Sequence, residues 1–192
     1  MRPSWIAGVV ATTLLLGLSA CSGDEDEDGD DAPASPAAAS PTASASPVED
    51  EAAPEPPLAA DTKNAREAFA RFVVETWGYA LRHNDPKPVV RLSPGPKEPC
   101  AGCEELEEEL AQRRKDGWYV DFPGAEVRRL RLTAAPDPGV FLASATIDIP
   151  ASISYFDDGS VRNDNEAHRG ATFELLMRRD GKRFDLLGFQ LR

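Results

Sequence analysis

The strongest constraint on this 192-residue chain is an abrupt change in composition near residue 61. Residues 22–61 contain no aromatic residue, no Lys and no Arg, but 12 acidic residues and seven prolines, with seven of the acids inside Asp24–Asp31. Such a segment cannot bury enough apolar surface to offset its ordering entropy, so it is expected to be a disordered tether. As a random coil it spans about 35 Å, and proline and like-charge repulsion extend it further. Its Ala/Ser/Pro/Thr centre, Ala32 to Pro47, has linker composition, with hydroxyls that could carry sugars. The formal net charge of −12 belongs to this segment: the chain from Thr62 onward holds 21 acidic against 20 basic side chains. A near-neutral domain carries no excess charge of either sign to argue for polyanion binding or against it, and no nucleic-acid partner is expected.

Ahead of the tether, residues 1–20 read as a signal peptide. Arg2 gives the positive start, and Trp5 to Leu18 is an apolar run of about 14 residues, short of the roughly 20 that span a bilayer. Leu18-Ser19-Ala20-Cys21 then has the form of a bacterial lipobox. Cys21 is the expected lipidation site, with acyl chains (palmitate-like) tying the protein to the outer face of the cell membrane. The competing interpretation is an ordinary secretory signal with an incidental Cys.

Residues 62–192 form the expected folded domain. Thr62 suits an N-cap, and Ala65, Phe69, Phe72, Val73, Trp77, Ala80 and Leu81 recur at helical spacing up to about Asn84. Pro88 to Leu92 suits a short helical turn. A further helix is expected over about 101–115, with five glutamates early and Arg113, Arg114 and Lys115 late, in the order a helix dipole favours. Beyond Gly117 the period falls to two, with strands expected at 126–133, 141–149, 152–156, 172–178 and 184–191. Asp157-Asp158-Gly159 and Asp180-Gly181 mark hairpins. The fold class is therefore α+β: N-terminal helices packed on a curved antiparallel sheet of four to five strands.

That order, with Phe72-Val73, Trp77 and Tyr79 on the first helix, resembles the cone-shaped nuclear-transport-factor-2-like superfamily. With Leu18-Ser19-Ala20-Cys21, Cys100-Ala101-Gly102-Cys103, Gly117-Trp118 and Asp180-Gly181 added, the chain resembles a family of uncharacterised actinobacterial lipoproteins. The resemblance implies a cone able to hold a pocket, brings no activity with it, and leaves only Pro94–Pro99 where the superfamily opens its sheet with a hairpin.

Cys100 and Cys103 are the only thiols left once Cys21 is acylated, and in an exported protein they suit a disulfide. Thiol–disulfide exchange is the alternative for a CxxC at a helix start. A metal would need two more ligands, and the chain holds only His83 and His168, so none is expected, and no cofactor either. Trp77, Trp118, Tyr119 and Phe141 (with Phe122) are candidates to line an apolar pocket, or are simply core. Acid–base candidates are Tyr79, Asp121, Asp148 and Tyr155, without a recognisable catalytic spacing, and Asp148 falls on the polar strand face. His83 suits a cap at a helix C-terminus, and His168 a polar loop. Arg129 and Arg131 share a strand face opposite Leu130 and Leu132, as on an ordinary exposed sheet. The expected function is a lipid-anchored, non-catalytic binding domain at the cell envelope for a partner protein, a wall component or a small ligand. A cone-fold enzyme and a CxxC redox accessory are the alternatives.

Overall fold

The computed structural model describes residues 51–192. The signal peptide, Cys21 and the tether up to residue 50 lie outside the described residues.

The first helix, α1 (Lys63–His83), begins where Thr62 Oγ1 accepts the Ala65 amide at 3.2 Å. It ends at Asn84, whose left-handed backbone (φ 50°) halts the helix while its amide satisfies the Ala80 carbonyl. A short α2 (Lys87–Val90) and α3 (Cys103–Lys115) follow. The helix expected over 101–115 starts at Cys103, because the two preceding residues do other work.

Seven strands follow: β1 (Trp118–Asp121), β2 (Glu126–Ala134), β3 (Val140–Ile149), β4 (Ser152–Phe156), β5 (Val161–Asn165), β6 (His168–Asp180) and β7 (Arg183–Leu191). They form two antiparallel sheets, β1-β4-β5 and β2-β3-β6-β7, rather than one sheet of four to five strands. The added strands carry little periodic signal. Trp118–Asp121 is only four residues long, and Val161–Asn165 is a polar run held by pairing with β4. His168 is not in a loop: it opens β6, opposite Ile149 of β3. At the end of a sheet, backbone pairing alone is enough to place a polar residue in a strand.

The inner face of the larger sheet carries Ala143, Ala145, Ile147, Phe173, Leu175, Met177 and Leu186, all buried against the apolar stripe of α1. Trp77 stands edge-on to Phe122 (5.7 Å between centroids) and tilted against Phe173 (5.5 Å), and Phe69 meets Phe184 at 5.1 Å. Val127 and Leu130 both turn inward although they are three positions apart. A bulge between Val127 and Arg129 resets the alternation.

Residues 51–61 form neither helix nor strand but run along α1. Asp61 pairs with Arg66 in the second turn, whereas Glu51 reaches the last turn. There Arg82 grips its carboxylate at 3.0 and 2.8 Å, His83 Nε2 lies 3.3 Å away, and the Tyr79 hydroxyl donates to its carbonyl at 3.2 Å. Ten extended residues span about 33 Å, and the 21 residues of α1 rise about 32 Å, so this strap covers the helix end to end.

Candidate functional site

A groove of about 570 Å³ lies at one end of the sheets. Its size falls within the range of ligand sites, about 300–1,000 Å³. Pro123 to Glu126, joining β1 to β2, form one side, and Ile149, Pro150 and Ala151 of the β3–β4 turn form another. Ala167 and Arg169 close it from the start of β6. Proline, alanine and Ile149 supply the apolar part of these walls, and Glu126, Arg128, Asp148 and Arg169 the polar part.

The polar centre of the groove is Asp148. Its Oδ2 accepts Arg128 Nε at 2.8 Å and its Oδ1 accepts the Gly170 amide at 2.9 Å. Those bonds, the Arg128 one first, hold its carboxyl below the ordinary aspartate range against the opposing effect of burial. Arg128 also contacts Glu126 at 2.8 Å, and both acids, Asp148 foremost, raise its guanidinium above the usual value. Asp148 is therefore an ionised acceptor locked to a cation, a group suited to fixing a polar ligand rather than to taking a proton near neutrality. Arg169 also lines the groove; it makes no direct hydrogen bond or ion pair among the described residues, but its charge adds to the lowering of the Asp148 carboxyl.

The four aromatic candidates do not converge, and none lines this groove. Trp77 lies in the core. Trp118 is held between Arg113 and Arg162, whose guanidinium carbons sit 4.8 and 4.1 Å from its ring. Tyr119 stacks on Tyr155 at 5.7 Å, and burial, then the neighbouring Tyr155, raises its hydroxyl above the ordinary value. Phe141 lies beneath the Arg66 guanidinium at 3.9 Å. Among the acid–base candidates, Asp121 is exposed, and Tyr79 is stacked on His83 at 4.2 Å. His83 occupies the last turn of α1 and faces Glu51.

Cys100 and Cys103 form a disulfide, and both are buried. The turn between them docks on β7: the Ala101 amide donates to Leu187 O at 3.0 Å, and Ala101 O accepts the Phe189 amide at 2.9 Å. Ala101 thus acts as one more strand residue, in a parallel bridge with Gly188. Gly102 follows at φ 86°, and a Cβ there would lie 2.4 Å from Phe189 O. Only glycine meets both demands. Thiol exchange requires an accessible sulfur, and Cys100 is 2% exposed. Among the described residues no cluster of three His, Cys, Asp or Glu side chains could hold a metal.

Sequence reasoning missed the groove because its walls come from three separate turns with no local motif. Asp148 and Arg128 were visible individually, but the register that pairs them was not.

No family model matches the chain, and no curated protein matches it. Solved structures with some likeness include the intermembrane-space region of the chloroplast protein ARC6, at 12% identity and TM-score 0.47, covering 68% of this chain and 95% of that one. Aln2 from a Streptomyces species aligns at 11% identity and TM-score 0.44, over 68% and 92% of the two chains. The helical cell shape determining protein Pgp2 from Campylobacter jejuni aligns at 12% and 0.39, over 67% and 41%. Superpositions this loose assign neither fold nor function. Among the described residues no helix is long and apolar enough to cross a membrane.

Proposed function

We propose that the chain is a lipid-anchored lipoprotein of the cell envelope, whose nuclear-transport-factor-2-like domain binds, without catalysis, a partner protein, a wall component or a small ligand. Its recognition site is the groove around Asp148 and Arg169. The observation that carries this reading is the groove itself: a space of about 570 Å³ with mixed polar and apolar walls around an ion-paired carboxylate, with the Arg169 guanidinium held by no direct ion pair among the described residues. The Leu18-Ser19-Ala20-Cys21 motif and the acidic segment behind it support the anchor, with Cys21 as the lipid-bearing residue. A catalytic reading would need a buried acid or base poised near neutrality, and Asp148 is held ionised instead. A redox reading would need an accessible thiol, and the disulfide is buried.

Two measurements test the proposal separately. Metabolic labelling with a radioactive fatty acid should mark the wild type and not Cys21→Ala; equal labelling of both removes the anchor. A photocrosslinking amino acid in place of Ala151, in cells, should give a discrete adduct that Arg169→Glu weakens several-fold and that the same probe at Arg114, on α3, does not form. Equal adducts from both positions remove the groove.

A further inference from the structure

A second concavity, about 210 Å³, lies outside the cone, beneath the strap. Pro56, Pro57 and Leu58 form its outer wall, and Phe69, Leu92 and Phe184 form its floor. Leu58 is 88% exposed although it borders an apolar cavity, an unusual placement for a large aliphatic side chain beside a ready apolar partner. Four charged residues complete the lining: Arg91, Lys182, Arg183 and Asp185.

The pairing among these charges decides which of them a ligand meets. Asp185 is 1% exposed and lies 3.0 Å from Arg183 Nε and 3.5 Å from Arg178. Arg178 is occupied a second time by Glu98, at 3.1 and 3.0 Å. Of the neighbouring acids, Asp180 approaches Arg183 and Asp61 pairs with Arg66. The buried carboxylate and the outlying acids are thus matched to Arg178, Arg183 and Arg66. Arg91 and Lys182, both exposed, have no such partner among the described residues. The cavity therefore presents an apolar interior, two unengaged cations at its mouth and a proline-stiffened wall.

We propose that this cavity binds a single anionic amphiphile, a free fatty acid, with its chain between the strap and Phe69, Leu92 and Phe184, and its carboxylate on Arg91 and Lys182. A bound chain gives Leu58 an apolar surface to cover, which accounts for its position on the strap. A wholly apolar ligand would leave the two cations unused, and a small inorganic anion would leave the apolar floor unused. The site shares no lining residue with the Asp148 groove, so the two proposals stand or fall independently.

The test uses the full chain in membrane vesicles from its own host. A decanoic acid carrying a terminal diazirine is added, the sample is irradiated, and labelled peptides are mapped by mass spectrometry. Adducts should fall within 56–58, on Phe69 or on Phe184. Unlabelled decanoate should compete them away, and decanol should do so at least fivefold less effectively. Arg91→Ala/Lys182→Ala should cut labelling about tenfold while leaving the thermal unfolding midpoint unchanged, because both side chains are exposed and unpaired. Leu58→Asp should also cut labelling without unfolding the domain. Adducts confined to other segments, equal competition by decanol, or full labelling of the double variant would each overturn the proposal. Retention on anionic phospholipid vesicles without decanoate labelling would overturn it as well, in favour of a bilayer surface.

Discussion

The two edges of the four-stranded sheet receive opposite treatment. At β7 the unpaired backbone is sealed: the disulfide-closed turn lays Ala101 alongside Leu187–Phe189 and takes up one donor and one acceptor of the edge. At β2 no further strand is paired among the described residues. That edge carries Arg128, Arg129 and Arg131 and a bulge, features that deter pairing with another sheet while leaving the edge accessible. The groove opens beside β2, where Glu126 and Arg128 line it, whereas the cavity beneath the strap meets only the first residues of β7, Arg183 to Asp185, away from the docked turn. The docked turn serves stability along Leu187–Phe189, and the β2 edge is left without such a cover among the described residues.

If so, damage at β7 should unfold the domain and damage at β2 should not. The largest effect is expected from Gly102→Ala, which places a methyl against Phe189 O on a left-handed backbone. It should cost about 3 kcal/mol in urea unfolding, and a loss within error would mean that the turn is not firmly docked. Next comes Cys100→Ser/Cys103→Ser. The bonded residues are three apart in sequence, so chain entropy alone gives about 2 kcal/mol. A much larger loss would show that the bond also holds the β7 edge. Glu51→Gln should cost at most about 1 kcal/mol, since the pair is partly exposed and screened. Its clearer readout is faster hydrogen exchange along the strap.

The same contact sets a pH dependence. Burial pushes the Glu51 carboxyl up, but the hydrogen bonds from His83 and Arg82 outweigh it and hold it below the ordinary 4.5. A depressed folded value contributes stability above that ordinary value and loses it as pH falls through the folded one. Strap protection should therefore fade below about pH 4.5 in the wild type and stay flat in Glu51→Gln. The smallest effect is expected at β2: Arg131→Glu should change stability by no more than about 0.5 kcal/mol. A collapse of that variant would erase the contrast between the edges.

Much of the domain was legible because it is periodic. The Phe69–Leu81 stripe, the Thr62 cap and the 141–149 alternation each record burial one element at a time, and the structure keeps all three. Val161–Asn165 was not legible as a strand because it is held by pairing with β4 rather than by a buried face, and Trp118–Asp121 because four residues are too few to show a period even though Tyr119 and Val120 are buried. The aromatic candidates were visible as residues but not as a site. Trp77 and Phe141 belong to α1 and β3, Trp118 and Tyr119 to the smaller sheet, and composition carries no information on which of them meet.

The sequence by itself determined the α+β class, the order of the helices and the CxxC pair, together with the near neutrality of the chain from Thr62 onward. These follow from local spacing and from counting, which need no knowledge of distant contacts. Tertiary structure alone decided that Asp148 is locked by Arg128 and Gly170, that Ala101 completes β7, and that Glu51 straps α1 from end to end. Each of those depends on register or on a contact across 20 to 87 residues, where the favourable energy belongs to the pair and leaves no mark on either residue alone.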